Sequence, residues 1–493
     1  MVDVTETTTK TMTGREPSRA EVRPHIRRAA GAEAPVLGSL GLLTVLLGAA
    51  LPMLDFFIVN VALPTIQRDL AASEAMLEMV VAAYGITYAV LLVLGGRLGD
   101  TFGRRRLFVW GLIGFGLTSL ACGIAPGPGT LVAARAAQGA ASALMLPQVL
   151  ATIHAATSGD RRGKALGLYG ATGGISSIAG QLIGGALVTA DLWGTGWRSI
   201  FLVNVPVVLL ALPLALRAVP DTRAERPARG DLAGTVLLGA TLTSVLLPLT
   251  EGRAAGWPLW SWLTLCAAPL LGWLFYAVEA RGERTGGSPL LPPTLLREPS
   301  LRRGLALGVP LFLGFGGFMF VIAVAFQTGL GLGPVASGLA LAPMCVTFFA
   351  ASLTGPRLVP RYGSRVLVWG TLIQAAGVGL IALTVLWRWP DLGPLGLAPG
   401  MAVAGFGQGL QVPTYFRLAL NGVPAARAGA GSGLAVTNQQ SGLALGVATL
   451  GSLFLTLVPQ LGVRDALLWA LAVQVAGVGV TCALSLRLPR TVV

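Results

Sequence analysis

Read from its amino end, the chain is polar for 36 residues and then becomes a series of apolar stretches separated by short polar breaks. The stretches lie near 38–62, 76–96, 107–125, 130–154, 164–189, 198–216, 232–250, 258–279, 304–327, 334–356, 365–387, 394–416, 431–456 and 464–486. Each reaches or approaches the roughly 20 residues that a helix rising about 1.5 Å per residue needs to cross a hydrocarbon layer about 30 Å thick. Membrane-crossing strands would be half that length, so the pattern predicts an all-α integral membrane protein with fourteen transmembrane helices. The breaks are short, as in Pro126-Gly127-Pro128-Gly129, and leave no room for an outer domain. Residues 1–36, rich in Thr, Glu and Arg, lack the apolar core and cleavage site of a signal peptide and read as a disordered cytoplasmic tail.

Composition agrees. With 54% hydrophobic and 11% charged residues over 493 positions, and a mean hydropathy of +0.73, the chain lacks the charged surface of a soluble globule. Its formal charge of +14 would suit a nucleic-acid partner, but the distribution of basic residues argues for none. If the amino terminus is cytoplasmic, 29 Lys and Arg fall in inner segments and five in outer ones, alternating break by break. That asymmetry places both termini inside a cell (plasma) membrane and requires an even number of spans. Cys122, Cys266, Cys345 and Cys482 fall inside apolar spans, and the two histidines, His25 and His154, lie far apart, so no disulfide framework, metal set or cofactor is expected. Without nucleophile–base chemistry the chain does not read as an enzyme, and without GxxxxGK[ST] it has no ATPase loop of its own.

Between spans two and three lies Gly96-Arg97-Leu98-Gly99-Asp100-Thr101-Phe102-Gly103-Arg104-Arg105-Arg106. A worn copy, Arg357-Leu358-Val359-Pro360-Arg361-Tyr362-Gly363-Ser364-Arg365, lies between spans ten and eleven. Matching turns at matching places imply an internal duplication. The copies are eight helices apart where two six-helix halves predict six, so the surplus pair is spans seven and eight. The expected organisation is a tail (1–36), an N-terminal six-helix bundle (37–217), two added helices with linkers (218–303) and a C-terminal six-helix bundle with a short tail (304–493).

The first turn resembles the loop motif of the major facilitator superfamily. Leu54-Asp55-Phe56-Phe57-Ile58-Val59-Asn60-Val61-Ala62-Leu63-Pro64 resembles the first-helix signature of its fourteen-span drug:proton antiporters. Arg135-Ala136-Ala137-Gln138-Gly139 is similar to the fourth-helix motif, and Trp197-Arg198-Ser199-Ile200-Phe201-Leu202-Val203-Asn204-Val205-Pro206 to the start of the sixth helix. In the fifth helix the family's Gly-Pro-x-x-Gly-Gly stands as Gly180-Gln181-Leu182-Ile183-Gly184-Gly185, with the proline absent, and Thr101 replaces the usual basic residue after the loop aspartate. The resemblance implies a major facilitator fold and a proton-coupled exporter of drugs or antibiotics. It also implies that Asp100 sits against the N-terminus of a helix from the other half, which the helix count puts near 429–433.

The residues themselves carry a further reading. A carboxylate inside hydrocarbon costs at least about 2.5 kcal/mol and marks function by default. Asp55 is the one acid well inside a predicted span and Arg135 the one base, each about five residues from the far boundary. Asp55 is expected to exchange a proton, with Arg135 opposing it; the alternative is a permanent ion pair. Gln138 shares a helix face with Arg135. Asp100, Gly96 and Gly103 read as gating residues, with Arg104 or Arg106 pairing with Asp160, whereas Arg105 and Arg106 alone would only set topology. Gly180, Gly184 and Gly185 permit close helix contact, with Gln181 in the same row. Tyr84, Tyr88, Gln138, Asn438 and Gln439 are candidate cavity residues, and ordinary interhelical bonds are their alternative. The expected partners are a small-molecule substrate, protons and the lipid bilayer, with the chain a monomer. The altered fifth-helix motif leaves import or metabolite exchange open, and a non-transporting sensor would need no cavity.

Overall fold

The structure is a computed structural model that describes residues 37–223, 231–252, 256–287, 289–393, 395–424 and 427–488. Among these, helices occupy all fourteen expected positions. They are α1 (Ser39–Leu70), α2 (Glu74–Phe102), α3 (Arg104–Gly123), α4 (Pro128–Ala156), α5 (Gly159–Ala190) and α6 (Ser199–Leu202 continued by Asn204–Ala218). Then follow α7 (Leu232–Glu251), α8 (Leu259–Arg284), α9 (Pro299–Val324, extended by the π-turn Ala325–Gly329), α10 (Pro334–Tyr362), α11 (Arg365–Arg388) and α12 (Ala398–Leu420). The last helical run bends at Gly462, whose φ of 77° is not helical, into α13 (428–461) and α14 (463–486).

Among the described residues, ten stretches are long and apolar enough to cross a bilayer, the last holding both α13 and α14. Outside that set are α5, α7 and α12. The apolar run of α7, Ala233–Leu249, is short. Helix α12 is buried along nearly its whole length, so it presents protein rather than lipid and tolerates Gln408, Gln411 and Thr414. Large apolar side chains such as Trp273, Trp387 and Trp469 stand exposed on the periphery, where a soluble protein would carry charge.

The two repeated turns have the same construction. Gly103 ends α2 and begins α3 with φ 102°, and Gly363 closes α10 with φ 58°. Both backbones are in territory that a Cβ makes costly, which is why each copy keeps its glycine. The segment around each is helical almost to the glycine, so Arg97 and Asp100 belong to the last turns of α2 rather than to a loop.

The core is arranged unequally along the bundle. Toward the end carrying these turns, one apolar cluster joins the halves, running from Leu92, Val149 and Tyr169 to Phe312, Tyr415 and Val436. Toward the opposite end it splits. Ile58, Leu131, Trp197 and Phe201 form one cluster within the first half, and Ile322, Leu341, Ile381 and Phe454 form another within the second. The halves are therefore sealed together at the turn end, while at the other they part on one side and stay in contact on another through Leu182 of α5 and Gly338 of α10.

Candidate functional site

Asp55 lies near the middle of α1, because that helix continues past its apolar span through Thr65, Gln67 and Arg68. It is fully buried. Arg135 of α4, equally buried, donates through Nη1 to Asp55 Oδ2 and to Gln138 Oε1 at 2.7 Å. Gln138 Nε2 donates to Asp55 Oδ1 at 3.0 Å and to Ser119 Oγ of α3 at 2.7 Å. Asn204 of α6 reaches the same two acceptors, both at 3.0 Å. Arg135 is held further by Nε on the Val80 carbonyl and by the Tyr84 ring, 4.2 Å from Cζ. Charge, amides and a cation–π contact thus offset the desolvation of a buried ion pair.

Glycine brings this cluster together. A Cβ on Gly180 would stand 2.7 Å from the Leu54 carbonyl, and one on Gly184 2.8 Å from the Ile58 side chain. These positions let α5 close on α1 on both sides of Asp55. Gly185 is buried beside them, and the side chain of Gln181 lies outside the described residues.

Directly beyond this network is a cavity of about 380 Å³ at the end where the halves part. Phe56 and Phe57, the residues after Asp55, form part of its wall with Val81 of α2, Met319 and Phe320 of α9, and Leu443 of α13. Polar atoms come from Glu251, Gln327 and Ser452. Both π-turns contribute, through Gln327 and through Val447, Ala448 and Gly451. Phe56 forms the wall on one side and lies 6.2 Å from the Tyr84 ring on the other, so the two rings run from the cavity to Arg135.

The expected cavity residues lie elsewhere. Tyr84 donates to the Pro52 carbonyl or to Ser142, both at 3.0 Å, and with Gln138 belongs to the Asp55 network. Tyr88 is buried against Tyr84. Asn438 ties Tyr415 of α12 to the Leu305 carbonyl of α9. Gln439 borders small voids of about 10 and 20 Å³ near Met53 and Gly170, the second of which shares Phe57 and Leu443 with the cavity wall. Gln138 and Asn438 were drawn to partners on other helices because buried donors need partners, and the cavity took mainly apolar side chains instead.

At the turn end, Asp100 is buried and binds Arg104 at 2.9 Å. The first turn of α13, at the backbone N–H of Ala430, interacts favourably with its carboxylate. Nearby, the Ser432 hydroxyl reaches the Pro147 carbonyl at 3.4 Å and Gly433 packs on Val93. The expected pairing of Arg104 or Arg106 with Asp160 is not formed. Arg104 is folded back on Asp100 and Thr222, and Asp160 acts electrostatically on Arg417 of α12. Gly96 is buried, and the close approach of α2 to α4 is made by Gly95 and Gly99, around which Gln148 wraps with a 2.7 Å bond to the Gly95 carbonyl.

Sequence reasoning missed Ser119, Asn204 and Glu251. Asn204 stood in a quoted motif, but neither helix periodicity nor charge distinguishes an amide that faces Asp55 from one that faces a neighbour. Among the described residues no cluster of His, Cys, Asp and Glu could hold a metal ion.

Two helical repeats closing on each other at one end, with a buried acid–base pair behind a cavity at the other, define a membrane carrier of duplicated architecture. Residues 45–447 match the Major Facilitator Superfamily, and the chain belongs to it. It is 39% identical over 420 residues to the "Probable actinorhodin transporter" of Streptomyces coelicolor, covering 84% of this chain and 72% of that one. It is also 39% identical over 420 residues to the "Puromycin resistance protein pur8" of Streptomyces alboniger, covering 84% and 81%. To the "Tetracenomycin C resistance and export protein" of Streptomyces glaucescens it is 33% identical over 426 residues, covering 84% and 75%. Among solved structures, the human organic anion transporter MFSD10 superposes with a TM-score of 0.63 at 15% identity, covering 89% of this chain and 98% of that one. The proton:xylose symporter XylE superposes with a TM-score of 0.61 at 18% identity, covering 89% and 93%.

Proposed function

We propose that this chain is a secondary active exporter of antibiotic-like small molecules, driven by protons exchanged at Asp55. The observation that carries the reading is a fully buried, hydrogen-bonded Asp55–Arg135 pair linked through the Tyr84 and Phe56 rings to the wall of a cavity that lies between the halves. Protonating Asp55 removes its attraction for Arg135, and the released α1 segment moves Phe56 and Phe57, so proton and substrate occupancy are linked through one helix. The names of the relatives, which concern actinorhodin, puromycin and tetracenomycin C, support export and this substrate class. In this reading the bundles 37–217 and 304–493 rock about the cavity as a monomer. The hairpin within 218–303 is added to them, fourteen helices cross the membrane and both termini are cytoplasmic. Asp100 on the N-terminus of α13, with Arg104 and Gly103, closes the cytoplasmic gate, because an anion there is favoured by the helix dipole and the free N–H groups. Asp160 with Arg417 is a second gate contact between the halves.

The test is pH-gradient-driven movement of antibiotics and dyes in proteoliposomes holding the full chain. Wild-type protein is expected to accumulate substrate against its gradient and to stop when the proton gradient is collapsed. Asp55→Asn is expected to bind substrate with no gradient-driven accumulation, because an amide keeps the shape and hydrogen bonding but cannot ionise. Wild-type accumulation that persists without a proton gradient would overturn proton coupling.

A further inference from the structure

The added hairpin α7–α8 is followed by a short stretch, residues 289–296, that lies against the closed end of the bundle. Both its backbone faces are held. Leu290 N–H donates to Asp231 Oδ2 at 3.2 Å, and Leu291 N–H to Glu279 Oε2 at 2.6 Å. In the other direction Arg97 donates through Nε to the Leu290 carbonyl at 2.6 Å and through Nη2 to the Pro289 carbonyl. Further along, Thr294 N–H donates to Glu283 Oε2 at 3.2 Å, and the Thr294 hydroxyl accepts from Arg427 at 3.0 Å. Leu290 and Leu291, nearly inaccessible, are wedged among Val93 of α2, Phe275 of α8, Leu237 and Leu238 of α7, and Leu434 of α13.

These contacts converge on one place. Arg97 is one helical turn before Asp100, and Arg427 stands at the N-cap position of the helix whose first turn, at Ala430, interacts with Asp100. Val93 and Gly433 are themselves in contact across the closed interface. A segment tied to α2 through Arg97 and to the start of α13 through Arg427 spans the joint that must open. Its hydrogen bonds involve charged groups, which makes them stronger than ordinary ones.

We propose that residues 289–296 are a strap by which the added hairpin holds the turn end shut, with Asp231 and Glu279 as positioning residues and Arg97 as its attachment to the gate. This rests on the alternating-access reading above. It gives the two additional helices a role: they anchor a clasp whose release accompanies opening at the turn end. A lysine at position 97 keeps the charge but has no planar fork to span two successive carbonyls, so it loosens the strap while leaving the electrostatics of the gate in place.

The experiment uses the full chain in detergent, with its four cysteines replaced and single reporters introduced by Ser432→Cys in the closed interface or Gln327→Cys in the cavity. Maleimide labelling rates are measured without substrate or gradient, together with melting temperature, in the parent, in Arg97→Lys and in Asp231→Ala/Glu279→Ala. The strap predicts that both variants label Ser432→Cys several-fold faster and Gln327→Cys more slowly, because the population shifts from one open end to the other. Rates that are unchanged, or that rise together at both reporters as general loosening would produce, overturn it. If the double variant does not fold, Arg97→Lys alone decides. Opposite shifts in a protein that moves no antibiotic keep the strap and reject the exporter; transport with unshifted labelling does the reverse.

Discussion

At the scale of single residues, the Asp55–Arg135 pair either moves a proton or only ties α1 to α4, and stability separates the two. Removing one partner of a buried pair commonly costs about 3–5 kcal/mol, because the other charge is left stranded. Around Arg135, however, the Gln138 amide, the Val80 carbonyl and the Tyr84 ring remain when Asp55 becomes Asn. Asp55→Asn is therefore expected to lose coupled export with a modest loss of melting temperature, and Asp55→Asn/Arg135→Gln to regain stability without regaining export. Export restored by the double change, measured in proteoliposomes, would show that the pair is structural. Asp100→Asn is expected to lower the transport rate several-fold while leaving protein abundance near normal. An anion at a helix N-terminus contributes about 0.3–2 kcal/mol, enough to shift a gate but not to unfold fourteen helices. Measured together, rate and abundance check this, and parallel loss of both would make Asp100 a folding residue.

Among the elements, the two helix-to-helix turns carry the duplication, and their differences are as informative as their likeness. Gly103 and Gly363 keep the positive φ, while the position three residues earlier is Asp100 in one and Pro360 in the other. Only the first turn can hold the N-terminus of an opposing helix by charge. Gly103→Ala and Gly363→Ala should each cost about 1–3 kcal/mol of backbone strain. At Gly103 the added Cβ would also stand 3.0 Å from both Asp221 and Arg223. Thermal unfolding of the purified variants checks this, with the larger drop expected for Gly103→Ala. Helix positions were legible because each pass writes some 20 apolar residues into the chain. Helix ends were not, since α1, α2 and α10 run on through polar residues. The fork of Arg97, the strap at 289–296 and the π-turns at 325–329 and 447–451 leave no periodic signal.

For the whole molecule, the sealed turn end and parted far end define one conformation, and the orientation proposed from the distribution of arginine turns the sealed end to the cytoplasm. In sealed cells, single cysteines introduced by Ser73→Cys and Leu259→Cys should react with an impermeant maleimide added outside. Lys164→Cys and Arg361→Cys should react only after permeabilisation. Labelling of Arg361→Cys from outside would invert the topology and with it the direction of transport assigned to the cavity.

Hydropathy and charge alone determined the helical membrane architecture, its duplication and the one deep acid–base pair, because these are properties of composition along a line. A span must be apolar to enter lipid, a repeat must recur, and a lone buried charge is conspicuous wherever it stands. The tertiary structure decided which polar side chains face which. Tyr84 and Gln138 were candidates for the cavity, and packing turned them toward Asp55; Asn438 was turned toward Tyr415 and Leu305. The wall fell instead to Phe56, Phe57, Met319 and Phe320. The reason is physical: a buried amide or hydroxyl settles wherever its donors and acceptors are met. That depends on neighbours brought from distant helices, which no local pattern in the sequence encodes.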